Sequence, residues 1–97
     1  MARRRYLVAY DIREPKRLRA VHSTMKAFGY ALQYSVFICD LDPTEKIRLR
    51  EALGRVIHNR MDNVALVDLG DAEVRGVECI EFMGPPPMLP RSGARIV

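Results

Sequence analysis

Asp11 stands at the exit of an apolar run, Tyr6-Leu7-Val8-Ala9-Tyr10, and four cations follow it closely: Arg13, Lys16, Arg17 and Arg19. A carboxylate at a strand end offers oxygen to a divalent metal, and clustered guanidinium and ammonium groups offer donors to phosphate. Both chemistries belong to nucleic-acid sites. The plain alternative is that Asp11 caps the helix that comes next. Lys16, Arg17 and Arg19 crowd the start of that helix, where the macrodipole disfavours cations, and a bound anion would relieve the conflict.

The rest of the charge pattern points the same way. Residues 1–39 carry Arg3, Arg4, Arg5, Arg13, Lys16, Arg17, Arg19 and Lys26 against Asp11 and Glu14, a net +6. Residues 40–97 sum to −2, which leaves the whole chain at +4. A basic part on an otherwise acidic body attracts polyanions through phosphate neutralisation.

Other groups offer less. Magnesium asks for about six oxygen ligands in near-octahedral geometry, and beside Asp11 the sequence places only Glu14. A magnesium site would therefore need a second Asp11, brought by a twofold axis passing close to the first. His22 falls on the apolar stripe of a helix and reads as a core residue; His58 ends a helix and faces its dipole. No nucleophile–histidine–acid arrangement is visible. Tyr10 and Tyr34 have faces on which bases stack, but both lie in strands, where packing is the commoner use. Cys39 and Cys79 form no metal-binding spacing and read as buried small apolar residues rather than a disulfide.

The elements that must position these groups follow from periodicity and end signals. Residues 5–12 read as a strand, apolar at every position from Tyr6 to Tyr10, as for a central strand covered on both faces. Pro15 suits the first turn of a helix whose stripe is Leu18, Val21, His22, Met25 and Phe28, and Gly29 ends it. Residues 30–41 form a strand-like run too long for one strand, so a kink or tight hairpin is expected within it. Asp42-Pro43-Thr44-Glu45 is a helix start with a capping box, followed by a stripe of Ile47, Leu49, Ala52, Leu53, Val56 and Ile57. Residues 64–69 read as a strand broken by Gly70 and Asp71, and residues 74–82 as a further strand with a bulge or bend at Gly76.

The order predicts an α+β fold over residues 1–83: a ferredoxin-like βαββαβ sandwich with an extra C-terminal strand, which must add to a sheet edge of its own chain or a partner's. Residues 84–97 form a Pro-rich tail unable to build a sheet. A core this small makes a homodimer unsurprising. No apolar run is long enough to span a membrane, and the start lacks a signal-peptide core, so a cytoplasmic protein is expected.

At this point the residues carry a resemblance. Tyr-Leu-Val-Ala-Tyr-Asp-Ile at 6–12, the basic helix start Lys16-Arg17-Leu18-Arg19, Phe28-Gly29-Tyr30 and Gln33-Tyr34-Ser35-Val36-Phe37 together resemble the CRISPR-associated Cas-two family, over residues 5–69. The resemblance implies a ferredoxin-like homodimer that joins the Cas-one integrase in capturing foreign DNA as new spacers. It also implies metal-dependent nuclease activity at the aspartate corresponding to Asp11. The favoured reading is a duplex-DNA-binding scaffold gripping backbones through Arg13, Lys16, Arg17 and Arg19. The alternative is a magnesium-dependent endonuclease, acting on RNA or DNA, that uses Asp11 of both protomers as metal ligand and catalytic residue. A single-stranded RNA binder ranks third, for want of clearly exposed aromatics on the sheet.

Overall fold

A computed structural model describes residues 2–88, the side chain of residue 77 excepted. Strand β1 (Arg4–Asp11) leads into helix α1 (Pro15–Phe28), then into strands β2 (Tyr30–Gln33) and β3 (Val36–Leu41). Helix α2 (Pro43–Gly54), strand β4 (Asn63–Asp71) and a single helical turn α3 (Arg75–Glu78) complete the order. The strands form one antiparallel sheet in the order β2-β3-β1-β4, the ferredoxin-like arrangement. The expected break in residues 30–41 is the hairpin between β2 and β3. No helix among the described residues is long and apolar enough to cross a membrane.

β1 is central but covered unequally. Tyr6, Val8 and Tyr10 are buried on the helix face, joined there by Phe37 and Cys39 of β3, Val21 and Met25 of α1, and Leu49 and Leu53 of α2. On the other face Leu7 and Ala9 are only half-buried and Asp11 is exposed. The expectation of a strand covered on both faces is thus corrected, because both long helices pack on one side. The apolar run remains, but its second face, with Val67 opposite Leu7, opens outward with Val67 47% exposed.

The caps explain the helix limits. Asp42 accepts from the Glu45 amide at 2.8 Å while Glu45 Oε1 accepts from the Asp42 amide at 2.9 Å, which is the predicted capping box. The α2 stripe is narrower than expected: Leu49 and Leu53 are buried, whereas Ile47 is 58% exposed. The helix ends at Gly54, so Val56, Ile57 and His58 lie in the turn beyond it. His58 does not meet a helix end; its Nδ1 accepts from the Arg60 amide.

Two expectations near the C-terminus are overturned. Gly70 and Asp71 continue β4 instead of breaking it, since Gly70 takes a φ of 102° at a register shift opposite Arg5 and Tyr6. Residues 74–82 hold no strand: the extra strand is replaced by α3 and irregular chain. Gly76 explains the turn. A Cβ there would lie 2.8 Å from the Arg5 Cβ and 2.9 Å from the Asp71 carbonyl oxygen, so only glycine lets α3 sit this close to the sheet. Residues 84–88 are irregular, and the remainder of the expected tail lies outside the described residues.

Candidate nucleic-acid interface

The site begins where β1 stops. Asp11, paired in register with Asn63 of β4, is exposed, and among the described residues its carboxylate makes no hydrogen bond or ion pair. It does not cap α1. That role belongs to Glu14, whose Oε1 accepts from the Arg17 amide at 2.8 Å. The bonds from the Arg17 and Lys16 amides hold the Glu14 carboxyl below its ordinary pKa. A negative cap also answers part of the conflict between the helix dipole and the cations behind it.

The four predicted cations divide. Arg17 Nε donates to Asp62 Oδ2 at 2.7 Å and Nη2 donates to Oδ1 at 3.2 Å. Asp62 has no exposed side-chain surface and also accepts from the amides of Arg13 (2.9 Å) and His58 (2.8 Å). The Arg17 bond first, with the two amides helping, holds the Asp62 carboxyl far below the usual carboxylate range. Arg17 is therefore largely neutralised and serves to fasten α1 to the turn before β4. Arg13, Lys16 and Arg19 are exposed, and among the described residues their side chains form no hydrogen bond or ion pair. Lys26 prolongs the row, since positions 16, 19 and 26 fall on one side of α1. Helical spacing was enough to find it.

Arg3, Arg4 and Arg5 add little to this surface, although they contributed to the basic count. Each is paired, with Glu45, Asp68 and Asp40 respectively. Asp62 and Arg60, in the turn before β4, were not foreseen. Asp62 meets Arg17 across 45 positions of sequence, and no local pattern announces such a pair.

The aromatics are mostly used in packing. Tyr10 is buried, its hydroxyl donates to the Tyr34 carbonyl at 2.7 Å, and burial pushes its phenol up to about 12. Tyr34 is 53% exposed, but its ring stacks on His22 at 4.1 Å. His22 is held by that stack and by Tyr10, with its Nδ1 3.1 Å from the hydroxyl. Cys39 and Cys79 are free thiols; burial raises the Cys39 thiol to about 12, which makes it inert.

A metal does not fit one chain alone. Among the described residues no three acids, histidines or cysteines converge, and Asp11 offers a single carboxylate. That is too few oxygens for magnesium.

The family described as CRISPR associated protein Cas2 matches residues 4–77. A protein of Rhodospirillum rubrum named CRISPR-associated endoribonuclease Cas2 1 is 47% identical over 68 residues, 70% of this chain and 67% of its own. A CRISPR-associated endoribonuclease Cas2 of Geobacter sulfurreducens is 43% identical over 68 residues, 70% of this chain and 72% of that one. The solved structure of Streptococcus pyogenes Cas2 superposes with a TM-score of 0.72 at 29% identity, covering 82% of this chain and 99% of that chain. A hypothetical protein of Thermus thermophilus gives a TM-score of 0.76 at 27% identity, covering 91% of this chain and 99% of that chain.

Proposed function

Because this chain belongs to the CRISPR associated protein Cas2 family, we propose that it works in CRISPR adaptation as a homodimer that grips duplex DNA and serves as a scaffold for the Cas-one integrase. The observation that carries the binding reading is the row of unneutralised cations, Arg13, Lys16 and Arg19, at one end of a sheet whose other arginines are paired. Exposed cations in this loop and along α1 contact phosphates rather than base edges, so binding is sequence-tolerant and steeply salt-dependent.

The homodimer reading is supported by the open sheet face. Leu7, Ala9 and Val67 lie there with Asp11 at one end, and β4 is an edge strand of the sheet. A twofold axis across that face, or pairing along that edge, buries apolar surface that one chain leaves exposed. Light scattering at micromolar concentration tests this: a dimer is expected, and a monomer would end the proposal.

A second reading is kept alive by Asp11 itself. Its exposed carboxylate does no structural work, and the relatives above are named endoribonucleases. Two copies of Asp11 across the twofold axis would give magnesium two carboxylates, with water filling the rest of its shell, and the ion when bound would polarise a phosphoryl oxygen and orient the attacking water. Anisotropy titrations of labelled duplex DNA against salt, with cleavage of DNA and RNA followed with and without Mg²⁺, separate the two. The scaffold reading expects tight, salt-sensitive binding that Asp11→Asn leaves intact or strengthens slightly. Wild-type cleavage that Asp11→Asn abolishes, with the melting temperature unchanged, would favour the enzyme.

A further inference from the structure

Asp62 is a buried carboxylate whose partners come from three separate segments. Its oxygens take the Arg17 guanidinium from α1, the Arg13 amide from the loop after β1, and the His58 amide from the turn after α2. The loop bearing Arg13 and the turn bearing Arg60 are thereby fastened to one point. Between them lies an open cleft of about 330 Å³ lined by Arg13, Arg60 and Met61. Among the described residues, neither arginine's side chain has a hydrogen bond or ion pair, while the carboxylate behind them is engaged by Arg17.

Two unneutralised guanidinium groups facing one concave surface present forked donors to a tetrahedral anion. At about 330 Å³ and open to solvent, the cleft has room for a phosphate group without enclosing it. Met61, 53% exposed, adds a soft apolar wall against which a sugar can rest. We propose that the Arg13–Arg60 cleft is a phosphodiester-binding site for a duplex-DNA backbone, with Asp62 as its positioning residue. The inference rests on the nucleic-acid reading above and adds Arg60 and Asp62 to it. It also explains the position of Arg17, which builds the site without touching the phosphate.

The test is a set of salt titrations of the full chain by fluorescence anisotropy, with a labelled DNA duplex and an RNA duplex of the same sequence as probes. Arg60→Ala should weaken binding roughly five- to tenfold near 0.1 M salt and lower the log–log slope by about 0.9, the loss of one phosphate contact. Arg60→Lys should keep the slope, and Arg48→Ala on α2 should leave the slope unchanged and the affinity within about twofold. Asp62→Asn carries the sign that identifies positioning. It removes a negative charge and releases Arg17, so electrostatics alone would tighten binding; the proposal expects binding to weaken while the melting transition stays cooperative. Tighter binding by Asp62→Asn would end its positioning role. Should that variant fail to fold, the Arg60 pair still decides the site. Strong wild-type binding that Arg60→Ala leaves untouched in affinity and slope would overturn this inference alone. Arg60-dependent binding of only the RNA duplex would keep the site and overturn the duplex-DNA reading, and no binding of either probe would overturn both.

Discussion

The two ends of β1 carry similar sets of cations and use them in opposite ways. At its start, Arg3, Arg4 and Arg5 each meet a carboxylate, from Glu45, Asp68 and Asp40. Beyond its end, Arg13, Lys16, Arg17 and Arg19 meet only one among the described residues, and that one, Asp62, goes to Arg17. A count along the sequence gives the two groups equal weight. In the folded chain the first is an internal fastening and the second is a surface available to a polyanion. Density of arginine is therefore a poor guide to binding; what matters is which cations the fold leaves without an acid.

Within the first group, depth decides strength. Arg5 and Asp40 sit directly across from one another in the β1–β3 ladder, joined by two hydrogen bonds of 2.8 and 3.0 Å, with side chains 5% and 11% exposed. Arg5 Nη1 also donates to the Gly76 carbonyl, which ties α3 to the sheet. The largest expected effect follows. Arg5→Met takes two hydrogen bonds from the nearly buried Asp40 carboxylate and should cost about 3–5 kcal/mol, a large share of the stability of a domain this size. Urea unfolding at fixed protein concentration measures it. The salt slope of DNA binding in the variant should match the wild type under conditions where it is folded. A changed slope would mean that the first group also binds, and the contrast between the two ends would fall.

The second test acts on the other end. Replacing Arg13, Lys16 and Arg19 together by Ala should weaken duplex binding by roughly two orders of magnitude near 0.1 M salt and lower the log–log slope by about three. Thermal stability should change little, because among the described residues these side chains hold nothing. Charge reversal at Arg17 is different in kind: it should destabilise the fold as well as weaken binding, since it sets a carboxylate against buried Asp62.

Much of this was legible in the sequence, for physical reasons that can be named. The first six elements announce themselves through local signals: the Asp42–Glu45 capping box, Pro15 and Pro43 in first turns, and the polar break at Gln33 to Ser35 within an apolar run. The segment at 74–82 misled because its valines and Cys-Ile-Glu-Phe favour a strand locally, whereas Gly76 packing on Arg5, 71 positions away, imposes a turn of helix. That Asp11 and the cations after it stand together where β1 ends and α1 begins was legible too. The wiring among them was not. The partners of Arg3, Arg4 and Arg5 lie 42, 64 and 35 positions away, and that of Arg17 lies 45 away, so neutralisation is a property of the topology alone.

A third, smaller effect distinguishes the two acids that flank the turn into α1. Sequence alone leaves Asp11 and the helix cap as one question; the structure separates them. Glu14→Ala removes the acceptor for the Arg17 amide and should lower the melting temperature by a few degrees. Asp11→Ala should leave it unchanged within about one degree, since no hydrogen bond is lost. If Asp11→Ala were the more damaging of the two, the assignment of the cap would be wrong, and Asp11 would be structural after all.

The smallest loss expected from breaking an ion pair belongs to Arg3. Its bonds to Glu45, both 2.9 Å, look as good as those of Arg5, yet Arg3 is 53% exposed and Glu45 is 32% exposed. Water screens such a pair, so Arg3→Ala should lower the melting temperature by less than about 3 °C, and 0.5–1 M salt should erase most of that. Its pH dependence has a definite sign. The Arg3 hydrogen bond first, then the Asp42 amide, draws the Glu45 carboxyl down to about 2 in the folded chain. A carboxyl lowered on folding stabilises above its unfolded pKa, near 4.3, and loses that contribution as the pH falls toward the folded value. The gap between wild type and Arg3→Ala should therefore be full at neutral pH and close between about pH 4.3 and pH 2. The gap caused by Arg5→Met should persist in salt, because that pair is shielded from solvent. Equal salt sensitivity in the two variants would mean that burial does not separate them, and the ranking of the three arginines at the start of β1 would have to be redrawn.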